Sequence, residues 1–150
     1  AFNVEGYSFV VFTHAPSDST VSGYDSNLDP LHGLMAAING KTTYSYTEAE
    51  AVISISADYT GTTSSVIANI AGHSHADGYG TSNGVLCITT TCEAALDTST
   101  RNTDVTRHAF DVFIVDKGSK RLSAIRIGYG NNRLFDYDPS SSSFGPLAYQ

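Results

Sequence analysis

The chain has 150 residues, 41% of them hydrophobic, which is enough for one core and gives no sign of a second. Its 8 basic against 15 acidic residues leave a formal charge of -7 and no lysine or arginine stripe to displace phosphate counterions, which opposes electrostatic capture of nucleic acid. No apolar run approaches the roughly 20 residues of a transmembrane helix, and no charged-then-apolar leader opens the chain, so this stretch reads as soluble and names no compartment.

In chain order, Tyr7 to Thr13 reads as an apolar strand that ends in His14, Ala15 and the breaker Pro16. A helix follows, with Asp29 as N-cap, Pro30 at the first helical position, Leu31, Leu34, Met35 and Ile38 as its apolar face, and Asn39 with Gly40 as its stop. The segment Ala51 to Tyr59 holds a strand, Val52 to Ser56. Across Thr60, Gly61 and Thr62 it is expected to pair with the run Val66 to Ala71 as a hairpin.

That run ends in Gly72-His73-Ser74-His75, with Asp77 close behind. An H-x-H pair is weak evidence alone, because two residues one apart point to opposite sides of a strand, but in a turn they converge, and Gly72 supplies backbone freedom for such a turn. Two apolar strands thus each deliver imidazole at their carboxyl ends, where α/β proteins assemble metal and ligand sites. Gly78, Tyr79 and Gly80 form a Gly-rich turn, beside the site, that could shape an entrance.

Asn83-Gly84 is a turn before the strand Val85 to Thr90. Cys87 and Cys92, five apart, are neither a C-x-x-C motif nor a disulfide framework and read as buried or idle thiols. Glu93 to Asp104 reads as a loop, Phe110–Val115 and Leu122–Ile127 as a hairpin around Lys117 to Lys120, and Pro139 to Pro146 as a Ser-rich mobile tail. His32, in the first turn of the helix, and His108 fit no motif and read as structural or exposed. Sheet-forming segments with an intervening helix give an α+β or mixed α/β domain.

Strand-His-x-Pro followed by strand-Gly-His-x-His-x-Asp resembles the fourth and fifth motifs of the calcineurin-like metallophosphoesterases. The hairpin from Phe110 to Ile127, Gly128 to Gly130 and Arg133 resembles the end of that domain in bacterial and prophage-type members, so the likeness runs from about Tyr7 to about Tyr137. The family's first three motifs, Asp-x-His, Gly-Asp-x-x-Asp and Gly-Asn-His-Asp/Glu, are absent from these residues. The chain therefore resembles the carboxyl-terminal half of a catalytic domain over residues 1–138, with residues 139–150 as tail. Its start at Ala1, without an initiator Met, fits a processed or truncated polypeptide.

The resemblance implies a four-layered α/β/β/α sandwich, of which this chain is the strand-rich half. An apolar sheet face would be left for a missing amino-terminal half, or for self-association, to cover. It implies two divalent ions (Mn, Fe, Zn or Ni) about 3.5–4 Å apart, with a bridging hydroxide that attacks a phosphomonoester or diester. His14 and His73 then resemble ligands of one metal and His75 of the other, Asp77 is a candidate to hold a ring N–H or the turn, and Arg126 and Arg133 are candidates to approach substrate phosphate. With about half of the ligands outside the chain, the isolated fragment is expected to be inactive.

Two other classes compete. One is a non-catalytic binding or structural module that keeps the fold, compatible with the Ser/Thr/Tyr/Asn-rich, lysine-poor sequence. The other is a mononuclear site using only His14, His73 and His75, as in His₃ zinc hydrolases.

Overall fold

The computed structural model describes residues 6–48, 50, 53–91 and 107–148. The first strand, β1 (Ser8–Thr13), leads through a short 3₁₀ turn (Ser26–Leu28) into α1 (Asp29–Gly40). A two-stranded unit, β2 (Thr43–Glu48) and β3 (Ile53–Asp58), precedes β4 (Ser65–Ala71), β5 (Gly78–Gly80) and β6 (Cys87–Thr89). The described chain closes with β7 (Ala109–Asp116), β8 (Arg121–Gly128), β9 (Arg133–Asp136) and β10 (Gly145–Leu147).

Mixed sheets with few helical residues make this an α+β protein. The first sheet has the order β1-β4-β6-β5, with β1, β4 and β6 parallel and β5 antiparallel. The second, β10-β9-β8-β7, is antiparallel throughout. The main core lies between them, built from Ile70 and Ile88 of the first sheet and Leu122, Ala124 and Phe135 of the second. On the other side of the first sheet, Met35 of α1 packs on Val66 and Val85, with Leu31, Ala36 and Ile38 around them. Strand β4 is covered on both faces, so its sequence is an almost unbroken apolar run. A register slip leaves Ile67 as an extra residue, since Phe9 pairs with Val66 but Val10 pairs with Ala68.

Two expectations for the helix shift by a residue or two. Asp29 lies inside the helix; the boundary residue is Leu28, which makes no side-chain cap. Asp25 caps the preceding turn by accepting from the Asn27 N–H at 3.0 Å, and the Asp29 carboxylate accepts from the Tyr24 hydroxyl at 2.5 Å. The helix does end at Gly40, with Lys41 in the left-handed region at φ 54. Asn39, read as a stop, stitches α1 to the sheet, its amide group donating to Val66 O and Gly84 O and its oxygen accepting from Val66 N.

The expected hairpin of β3 with β4 does not form. Strand β3 pairs instead with β2, antiparallel from Thr43↔Asp58 to Glu48↔Ile53, outside both main sheets. The unit docks on α1 through Tyr44, whose hydroxyl donates to Pro30 O at 2.6 Å and whose ring lies 3.0 Å from where a Cβ on Gly33 would sit.

The Ser-rich segment is also not a loose tail. Asp136 accepts from the Ser141 and Ser143 hydroxyls at 2.7 and 2.6 Å, Phe144 packs on the main core, and β10 pairs with β9. The β7–β8 hairpin forms as expected, its turn held by Asp116 accepting from the N–H groups of Gly118 and Ser119.

One face of the second sheet is exposed. Phe110, Val112 and Ile114 alternate outward along β7 at 50%, 47% and 54% exposure, and Ile127, opposite Phe110, is 45% exposed. No helix of the described residues is long and apolar enough to cross a membrane.

Candidate functional site

The parallel pairing of β1 with β4 ends at Thr13↔Ala71, so the two chains emerge side by side. The next backbone hydrogen bond, Gly72 N–H to His14 O at 3.0 Å, keeps them together beyond the sheet. His14 and His73 then meet: His73 Nδ1 is 3.0 Å from His14 Nε2, with ring planes at 74°. One proton bridges the two nitrogens, donated by whichever ring carries it. Both rings are exposed.

The conformational freedom of this turn does not sit on Gly72, which has no positive φ. It sits on His73 (φ 63) and His75 (φ 54), both left-handed. Each costs on the order of 1 kcal/mol relative to an ordinary backbone conformation, so the loop must be held from outside. Ser74 N–H closes a tight turn on Gly72 O at 2.7 Å, and Thr91 Oγ1 donates to His75 O at 3.0 Å.

The pair can be tested for a metal by its donor spacing. Imidazole nitrogens bound to one first-row ion at about 2.1 Å lie about 3.0–3.4 Å apart for bond angles between octahedral and tetrahedral. The observed 3.0 Å lies at the lower end of that range and is equally the length of the N–H···N hydrogen bond that joins the rings. Among the described residues no group of three or more His, Cys, Asp or Glu side chains is arranged to hold a metal ion.

Asp77, a candidate to hold a ring N–H or the turn, accepts from Arg126 Nη2 at 2.6 Å and from Thr91 N–H at 3.0 Å. Burial alone would raise the pKa of its carboxyl, but the hydrogen bonds from Arg126 and Thr91 more than offset this and lower it. Arg126 and Arg133 are likewise occupied. Arg126 donates through Nε to Asp111 Oδ1 at 2.8 Å and through Nη1 to Tyr129 O at 2.6 Å, and its side chain is 2% exposed. Arg133 donates to Asp111 Oδ2 at 2.6 Å and to Thr89 O at 2.8 Å. Four charged side chains thus clamp the histidine loop to the second sheet, and both arginines, candidates to approach substrate phosphate, are engaged by carboxylates and carbonyls.

Asp111, 1% exposed, is the partner the sequence reading missed. Its signal was available. The turn at 117–120 sets Asp116 opposite Arg121, and counting back along the hairpin puts Asp111 opposite Arg126. Asn69 was hidden in the apolar run of β4, yet it is fully buried and hydrogen-bonded at both ends of its carboxamide.

Beside the pair, an open groove of about 800 Å³ runs between the two sheets, lined by Phe12, Thr13, Gly72, Thr91, Phe110 and Phe113 among others. Tyr79 in β5 is half-exposed and packs edge-on to Phe135. His32 is buried between two hydroxyls, with Ser17 Oγ 3.2 Å from Nδ1 and Ser82 Oγ 3.0 Å from Nε2, a structural role. His108 is exposed. The Cys87 thiol is buried, its pKa pushed up by desolvation. Cys92 and the expected loop from Glu93 to Asp104 lie outside the described residues.

No family model matches the chain, and comparison with curated proteins and with solved structures returns no match.

Proposed function

We propose that the chain is part of a calcineurin-like metallophosphoesterase domain in which His14, His73 and His75 contribute to a dinuclear divalent-metal centre acting on phosphate esters. One observation carries this: two imidazoles delivered by neighbouring parallel strands, with hydrogen-bonded nitrogens 3.0 Å apart, a spacing that also suits two ligands on one ion once the shared proton leaves. When bound, ions of the Mn, Fe, Zn or Ni class would offset phosphate charge and make nearby water more acidic.

The part played by this chain is narrower than catalysis. Strands β1 and β4 bring two imidazoles together, the 72–77 loop carries a third, and Asp77 anchors that loop. The remaining ligands, including a bridging carboxylate, would come from polypeptide outside these 150 residues, so the chain alone has little or no hydrolytic activity. The same missing half, or self-association, would cover the apolar face of β7 and β8 and complete a four-layered α/β/β/α sandwich.

The test is a Zn²⁺ titration of the 150-residue chain by calorimetry, compared with the double variant His14→Ala, His73→Ala. Binding by the wild type that disappears in the variant is expected, and equal behaviour of the two sinks the metal site. A companion assay with a generic aryl phosphodiester and Mn²⁺ is expected to show almost no turnover; robust hydrolysis would overturn the claim that half of the ligands lie elsewhere.

A further inference from the structure

We propose that Arg126 is the positioning residue of the histidine loop, acting through Asp77 to set the orientation of His73 and His75; its metal-binding consequence rests on the metal-site reading above. The loop contains two non-glycine residues in the left-handed region, so its shape is imposed by partners. Three of those partners come from the first sheet and the segments that leave it: His14 O, Thr91 Oγ1 and Thr91 N–H. Arg126 holds the loop from the second sheet, through its 2.6 Å bond to Asp77 Oδ1.

The guanidinium is itself fixed. Two of its nitrogens grip Asp111, at 2.8 and 3.2 Å, and a third meets Tyr129 O at 2.6 Å. The turn at Gly130 is moulded around it, since a Cβ there would lie 2.1 Å from Arg126 Nη1. A planar fork satisfies Asp77, Asp111 and Tyr129 O together, whereas the single ammonium of lysine does not. Arg126 therefore ties the orientation of the imidazole loop to the packing of the two sheets.

The experiment uses the full 150-residue chain as wild type, Arg126→Lys, Asp77→Asn, His73→Ala and the double variant Arg126→Lys, His73→Ala. Two readouts are taken on samples whose circular dichroism shows them folded. The first is metal-free: imidazole ¹H–¹⁵N spectra, in which Arg126→Lys and Asp77→Asn are expected to move the His14, His73 and His75 signals. His32, bonded to Ser17 and Ser82, serves as the control for general loosening and stays in place. The second is Co²⁺ affinity and visible spectrum, with affinity expected to fall about 10- to 100-fold in each single variant, the range found when groups supporting metal ligands are removed. That loss is expected to vanish once His73 is already absent.

Unmoved His73 and His75 signals in folded Asp77→Asn overturn the proposal, as does movement of His32 together with them. If Arg126→Lys does not fold, Asp77→Asn decides, because it leaves the Arg126–Asp111 pair intact. A wild type that ignores Co²⁺ overturns the metal reading alone, and the imidazole spectra still decide the positioning role.

Discussion

Asn69 and Ser17 are joined twice, the carboxamide oxygen of Asn69 accepting from both the backbone N–H of Ser17 at 3.2 Å and its hydroxyl at 3.0 Å. The amide nitrogen of Asn69 donates to Thr13 Oγ1 at 2.9 Å and to Val11 O at 3.3 Å. One fully buried side chain on β4 therefore fixes both the end of β1 and the chain just beyond His14. Replacing Asn69 with Leu keeps the volume but strands these donors and acceptors. Each unsatisfied buried group costs about 1–3 kcal/mol, so Asn69→Leu is expected to lower stability by roughly 3 kcal/mol or more, read as a lower urea midpoint at unchanged slope.

Asp111 is the carboxylate shared by two arginines. Removing it with Asp111→Ala leaves Arg126, 2% exposed, without its main counter-ion. Breaking a buried pair from one side costs about 3–5 kcal/mol. The expected outcome is a loss of that size in chemical unfolding; a change under about 1 kcal/mol would mean that water reaches the cluster and replaces the carboxylate.

Asp136 makes acid stability testable. Burial disfavours its charge, but the hydroxyls of Ser143 and Ser141, the Asp138 N–H and the Arg121 guanidinium outweigh that and hold its carboxyl well below the usual range. A carboxyl whose native pKa is depressed contributes stability that is complete above its unfolded value of about 3.9 and is lost as pH falls toward the native value. Asp136→Asn should therefore be less stable than wild type near neutrality, with the difference shrinking below about pH 4. Melting temperatures from about pH 2.5 to 7, spanning that window, check this, and parallel curves would contradict it.

The exposed face of β7 and β8 gives a prediction of opposite character. Ile114 is 54% exposed, so Ile114→Lys removes little buried contact and should change stability by no more than about 0.5 kcal/mol. It should reduce binding of a hydrophobic dye and any concentration-dependent association seen by sedimentation. A large loss of stability instead would mean that Ile114 is covered in solution.

What could be read from the residues follows how local the determining contact is. The β7–β8 hairpin was legible because its alternation and turn lie within one continuous stretch, 109–128. The meeting of His14 with His73 was legible as two strand ends, and parallel pairing puts those ends together. The partner of β3 was not legible, because β2 is Thr-Tyr-Ser-Tyr-Thr-Glu, whose polar and aromatic alternation is weak, and the apolar run of β4 drew the pairing instead. Serines 140–143 suggested mobility only while Asp136, which gathers two of their hydroxyls, was out of view. The occupation of Asp77, Arg126 and Arg133 by one another depends on two sheets stacking, a contact that no single segment encodes.

The left-handed backbone at His73 and His75 also has a consequence for how this protein would change under selection or design. Glycine or asparagine would relieve the conformational cost at either position, so any search for thermal robustness alone should drift toward them and away from imidazole. A library sorted only for folded yield would then enrich His73→Gly, His73→Asn, His75→Gly or His75→Asn, and one sorted for the chemistry of the site would keep histidine at the expense of robustness. Divergence between the two sorted pools at these positions would show how much stability this chain gives up to hold its imidazoles where they are.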